Sequence, residues 1–136
     1  MWSLGQKNVR SVVVMSTMVS SILGRTNAEI LAWESYVLSS PLATGYHQSG
    51  WRRVIEEAFG HPTHYLVVHG QDGALQGVLP LVLLASRGFG RFLVSLPFVN
   101  YGGVVASSAE AHRYLEARAV EQARELKVDH IELRHQ

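Results

Sequence analysis

A helix bracketed by two strands does most to limit the folds open to this chain. Ala111, Leu115, Ala119, Ala123 and Leu126 recur at helical spacing and so line one face. Ahead of them, residues 91–96 (RFLVSL) read as a strand, and behind them residues 130–135 (HIELRH) alternate as a strand does. A helix between two strands acts as a crossover, which makes the strands parallel. The expected fold class is therefore α/β, with a mixed sheet and flanking helices.

The rest of the order follows from local signals. Thr26 or Asn27 caps a helix to about Leu38 whose apolar side carries Ile30, Leu31, Trp33 and Val37, and Ser39-Ser40-Pro41 ends it. Trp51, Val54, Ile55, Ala58 and Phe59 set a second amphipathic helix. Its Arg52, Arg53, Glu56 and Glu57 are expected in water, and Gly60 stands where a left-handed cap is needed. Residues 64–69 and 74–85 form a β-hairpin across Gly70-Gln71-Asp72-Gly73. Pro80 lies inside its second strand, where the missing N–H calls for a bulge, an edge or a turned-away position, and a bulge would splay the sheet. Ser107 and Glu110 have capping-box spacing at the start of the crossover helix.

Composition narrows the partners. The 136 residues, 47% of them hydrophobic, suffice for one compact domain. Twelve basic residues against eleven acidic ones leave a net charge of +1, which gives no electrostatic footprint for DNA or an acidic membrane. There is no cysteine, hence no disulfide, thiolate nucleophile or cysteine-bound metal. Lys7 and Arg10 followed by residues 11–23 imitate a signal peptide. Ser and Thr dilute that run, no small-x-small site precedes Gly24-Arg25, and it is too short to span a bilayer. Residues 1–25 are accordingly read as an N-terminal extension or a first strand near Val12–Val14, and a cytoplasmic location is expected. His61, His64 and His69 are close in sequence, but His64 and His69 point to opposite faces of a strand, so no metal site is assigned. No P-loop, dinucleotide fingerprint or Ser-His-Asp order calls for a cofactor or a hydrolytic triad.

Residues 95–103, SLPFVNYGG, hold the densest cluster of candidate site residues. Gly102 and Gly103 can let the chain kink beside a cleft or simply turn it, and Asn100 and Tyr101 offer polar groups to a ligand or to the backbone. This stretch does not stand alone. With Tyr46-His47-Gln48-Ser49-Gly50-Trp51-Arg52-Arg53-Val54-Ile55, Phe59-Gly60-His61, Tyr65-Leu66, Gly77-Val78-Leu79-Pro80-Leu81-Val82 and Ile131-Glu132-Leu133-Arg134, it resembles the amino-terminal part of FemAB-like proteins. The resemblance covers roughly residues 26–136 and is nearest to the FemAB-related group associated with the PEP-CTERM/exosortase system of exopolysaccharide-producing bacteria.

That resemblance implies a GNAT-like domain: a strand, two helices, three strands, a third helix and a fifth strand. It also implies that residues 26–136 are an incomplete domain, lacking the last helix and the last two strands. Better-known members of the family transfer amino acids from aminoacyl-tRNA to peptidoglycan precursors. The expected activity is thus acyl or aminoacyl transfer to an amine of a peptidoglycan or exopolysaccharide-related precursor. A GNAT donor loop would carry Arg/Gln-x-x-Gly-x-Gly/Ala, which Asn100–Ser107 lacks, so direct use of acetyl-coenzyme A is not expected. His47, Gln48, Asn100, Tyr101, Gly102 and Gly103 are the expected substrate-binding residues, with no catalytic residue assigned. His47 reads either as a ligand or general base, or as a hydrogen-bonded loop histidine. The alternative to an enzyme is a noncatalytic half-domain that binds a partner chain, or a truncated gene product. An exposed sheet edge makes a homodimer the expected assembly.

Overall fold

The computed structural model describes residues 18–88, 90–95 and 102–133. Its elements run β1 (Val19–Ile22), α1 (Asn27–Ser39), a 3-10 turn (Gly45–His47), α2 (Gly50–Ala58), β2 (Leu66–His69), β3 (Leu75–Leu79), β4 (Leu81–Ser86), β5 (Gly90–Ser95), β6 (Val105–Ala106), α3 (Ala109–Glu125) and β7 (His130–Glu132). The expected strand near residues 12–14 lies outside the described residues, and the first described strand is β1. Residues 134–136 also lie outside them, with the expected end of the last strand.

The crossover forms as expected. β5 and β7 are parallel, with Phe92 opposite His130 and Val94 opposite Glu132, and α3 connects them by way of β6. Its cap differs from the expected box: Ser108, not Ser107, is the N-cap, and its hydroxyl accepts the Ala111 N–H at 3.1 Å. The shift by one residue leaves Ser107 free to bond elsewhere.

Pro80 divides the second hairpin strand into β3 and β4, and the two halves join different sheets. β3 belongs to a four-stranded antiparallel sheet in the order β1-β2-β3-β6, whereas β4 lies in a three-stranded sheet in the order β4-β5-β7. The registers locate the break. Leu81 is opposite Ser95 and Val78 is opposite Val105, so one chain advances from 95 to 105 while the other moves only from 81 to 78. The strand that would have run unbroken from β5 into α3 is interrupted there.

Helices cover both faces of this strand layer. Leu66, Val68, Leu79, Leu81, Leu83 and Leu93 pack against Ala111, Leu115, Ala119 and Ala123 of α3. Tyr65, Val67, Val78 and Val105 pack against Trp33 and Val37 of α1 on the other side. Alternate residues of one strand therefore serve two cores, which is why residues 65–68 read as an unbroken apolar run.

Two helical faces differ from expectation. In α1 only Trp33 and Val37 are buried, while Leu31 is exposed. In α2 Ile55 is buried, Val54 and Phe59 are largely exposed, and Arg52 lies inside rather than in water. The Leu23 and Gly24 carbonyls at the end of β1 need donors, and the Arg52 guanidinium supplies them at 2.7 Å each. Gly60 takes the expected left-handed conformation after α2, with φ +70°.

At Gly77 the sheet packs directly against Leu115 of α3. A β-carbon there would stand 2.8 Å from Leu115 Cδ1 and 3.2 Å from both the Val105 carbonyl oxygen and Val68 Cγ1. Gly77→Ala is expected to cost about 1–2 kcal/mol by overpacking. Chemical denaturation should show that the added Leu115→Ala change costs less in this background than in the wild type, because it removes the clashing methyl. Strict additivity would rule out the contact.

Candidate functional site

The interruption between β5 and β6 is bordered on one side by the loop joining α1 to α2. Thr44 caps the 3-10 turn and His47 is its last residue. The Thr44 hydroxyl accepts the Tyr46 N–H at 3.2 Å, while His47 Nδ1 accepts the Thr44 N–H at 3.0 Å. His47 thereby takes the part that Glu or Gln plays in an ordinary capping box. Its other ring nitrogen, Nε2, reaches the Gly103 carbonyl at 2.9 Å across 56 residues of sequence. Trp33 Nε1–H closes the group by donating to the His47 carbonyl at 2.6 Å.

These bonds engage both nitrogens of the ring. Nε2 faces the Gly103 carbonyl and carries a proton, while Nδ1 meets both the Thr44 N–H at 3.0 Å and the Thr44 hydroxyl at 3.1 Å. His47 is 2% exposed, and burial lowers its pKa below the ordinary 6.5, with the backbone groups of Gly103 and Thr44 opposing the change. A ring engaged at both nitrogens has no lone pair for a substrate proton, so in this arrangement His47 positions the chain.

The expected site residues separate accordingly. His47 and Gly103 are brought together, with Gly102 buried beside them, and Gln48 is exposed at the end of the 3-10 turn. Asn100 and Tyr101 lie outside the described residues.

Further along, the same loop meets the approach to α3. A cleft of about 420 Å³ is lined by Leu42, Ala106, Ser107, Ser108, His112 and Arg113. A second, of about 290 Å³, is lined by Tyr36, Ser39, Ser40 and Pro41 and shares Leu42, Ala106 and Ser107 with the first. Between them sits a hydroxyl pair. Tyr36 Oη donates to the Gln76 carbonyl at 3.0 Å and, that proton being used, accepts from Ser107 Oγ at 2.7 Å. Burial raises the Tyr36 pKa, so the phenol stays protonated and can hold this pattern.

Tyr36, Leu42, Thr44 and Ser107 were absent from the residues expected from sequence. Thr44 had a readable signal, since Thr-x-x-His has the spacing of a capping box. Tyr36 had a weaker one, three residues after Trp33 on a helix.

The arrangement of strands and helices resembles that of a solved structure. The crystal structure of a GNAT family acetyltransferase from Staphylococcus aureus subsp. aureus USA300_TCH1516 matches with a TM-score of 0.58 over 86% of this chain and 85% of that one. The fold is GNAT-like. Sequence identity to that protein is 11%, so the likeness is one of architecture. No family model matches the sequence, and no curated protein matches it.

A GNAT-like fold raises the question of whether the start of α3 fits the pyrophosphate of coenzyme A. Glu110 puts a carboxylate in the first turn, the Ser107 N–H is taken by the Gln76 carbonyl, and the Gly103 carbonyl is turned to His47. An acidic residue in the first turn suits the helix dipole but repels a bound anion. These residues do not form a coenzyme A cradle. Among the described residues no group of three or more His, Asp or Glu could hold a metal, and no helix is long and apolar enough to cross a membrane.

Proposed function

We propose that this chain is the amino-terminal part of a FemAB-type transferase. It moves an acyl or aminoacyl group onto an amine of a peptidoglycan or exopolysaccharide-related precursor in the cytoplasm. The observation that supports this reading is the interrupted strand. It opens the GNAT-like sheet between Ser95 and Val105, beside the loop that carries His47 and Gln48 and ahead of the Ser107 clefts. Amine attack on an acyl carbonyl needs an uncharged nucleophile and donors for the developing oxyanion. Gln48, Asn100, Tyr101, Gly102 and Gly103 are the substrate-binding residues of this reading, with His47 tying Gly103 to the loop between α1 and α2. The donor is an aminoacyl ester rather than coenzyme A, since the start of α3 lacks the cradle for a pyrophosphate.

The test is label transfer by the natural gene product. Radiolabelled aminoacyl-tRNA and labelled acetyl-coenzyme A are each offered with a peptidoglycan precursor bearing a free amine. Label is expected on the amine from the first donor only; efficient transfer from acetyl-coenzyme A would overturn the choice of donor.

A noncatalytic half-domain is the second reading. It is favoured by β7, which among the described residues pairs only with β5 and so leaves an edge for another chain or a second copy. In the same preparation it predicts a homodimer that transfers no label from either donor.

A further inference from the structure

We infer that the smaller cleft beside Ser107 is a binding site for one uncharged polyhydroxyl ring, a pyranose sugar, held by serine hydroxyls that can only accept. The protons of that cleft are already committed. Tyr36 Oη gives its single proton to the Gln76 carbonyl at 3.0 Å, so the 2.7 Å contact with Ser107 Oγ is made with the serine's proton. Ser39 Oγ likewise donates to the Tyr36 backbone carbonyl at 3.0 Å. Both serines are exposed and both line the cleft. Each hydroxyl keeps its lone pairs and has no proton left to give.

That inventory selects the ligand. A carboxylate, a phosphate or a bare carbonyl oxygen would set lone pairs against lone pairs at Ser39 and Ser107, and the Ser107 N–H that could answer it is taken by the Gln76 carbonyl at 2.8 Å. A cation fares no better. Among the described residues neither cleft is lined by a carboxylate, and Arg113 stands in the adjoining cleft, which shares Leu42, Ala106 and Ser107. An uncharged ligand rich in O–H donors meets both conditions. Pro41, Leu42 and Ala106 supply an apolar wall that suits the C–H face of a sugar ring, and Leu42 is 56% exposed. At about 290 Å³ the cleft lies at the lower edge of small-ligand sites, which run from roughly 300 Å³ upward, so it takes one ring rather than a chain of them.

The two accepting groups come from distant parts of the chain. Ser39 ends α1 and Ser107 lies on the approach to α3, and the Tyr36 side chain joins these elements across 71 residues. Burial keeps Tyr36 a phenol, which holds the Ser107 proton in this direction. The inference does not rest on the transferase reading, because it follows from the cleft's own hydroxyls and holds equally for a noncatalytic domain.

The experiment is an NMR titration of the isotope-labelled full chain at neutral pH with methyl β-D-glucopyranoside. The amides of Ser39, Ser40 and Ser107 should shift together and saturate with a Kd of about 1–10 mM, while those of Val67 and Val68 in the sheet stay in place. Tetrahydropyran, which keeps the ring but carries no hydroxyl, should shift none of them at equal concentration. Ser107→Ala removes one acceptor and leaves the Tyr36 bond to Gln76 in place; it should weaken the sugar about fivefold or more, and Ser39→Ala should weaken it as well. No shift with the sugar up to about 50 mM, equal shifts with tetrahydropyran, or an unchanged Kd in Ser107→Ala would each overturn the site. Sodium acetate or methylammonium chloride shifting the same amides would put an ion in place of the uncharged ring and overturn it too. Should Ser107→Ala fail to fold, Ser39→Ala and the wild-type comparison of the ring with and without hydroxyls still decide.

Discussion

Trp33→Ala should unfold at a midpoint about 15 °C below the wild type, a loss of roughly 3–5 kcal/mol, the largest single-site effect expected in this chain. Trp33 is fully buried and stacks on Tyr65 with ring centroids 5.0 Å apart. Alanine would leave a cavity between α1 and the sheet and strip Tyr65 of its aromatic neighbour. It would also remove the donor to the His47 carbonyl, leaving a buried acceptor without its partner. Trp33→Phe separates these contributions, because it keeps a ring against Tyr65 and gives up only the indole N–H and some volume. Its expected loss is about 1–2 kcal/mol. Urea unfolding followed by circular dichroism measures both. Equal losses for Phe and Ala would assign the whole effect to the hydrogen bond and remove the packing account; a loss below about 1 kcal/mol for Ala would remove Trp33 from the core.

Trp33 also shows how far the sequence could be read. Its burial was legible because it lies four residues from Val37 on a helix whose start was read at Thr26 or Asn27. Leu31 was misplaced for the same reason that Trp33 was placed: periodicity assigns an apolar residue to a face but does not say how wide a face the sheet will cover. The crossover and the break at Pro80 were legible because each follows from a chemical constraint, a parallel connection in one case and a missing N–H in the other. What the break would do was harder to foresee. The sequence calls for a bulge, an edge or a turned-away position at Pro80, whereas the division of the strand between two sheets depends on which partners each half finds in three dimensions.

The site was legible in its parts but not in its contacts. His47 and Gly103 were both singled out, yet nothing in the sequence links positions 56 residues apart. Each residue has common local uses, a histidine in a loop and a glycine in a turn, and only the fold turns the pair into one hydrogen bond. Tyr36 was passed over because a helical tyrosine looks ordinary alone, and Ser107 was read as a helix cap rather than as a site residue. Their bond spans 71 residues and joins α1 to the approach to α3.

Adjacent arginines provide the sharpest contrast between what patterning implies and what the fold requires. Arg52 and Arg53 both fall on the polar side of the α2 pattern, and only Arg53 remains there, paired with Glu57 at the surface. Arg52 is 7% exposed; it spans the Leu23 and Gly24 carbonyls and lies 5.8 Å from the Tyr65 ring centroid. Arg52→Ala should therefore cost about 2–4 kcal/mol, or about 10 °C in the melting midpoint. It deprives two carbonyls of their donors and uncovers Leu23 and Tyr65. Arg52→Lys should recover only part of this, because a single ammonium lacks the planar fork that reaches two acceptors. Arg53→Ala is the internal control, since an exposed pair on a helix contributes little. Thermal scans of the three variants test the assignment directly: an Arg52→Ala protein as stable as Arg53→Ala would place Arg52 back in water and leave the end of β1 without its anchor to α2.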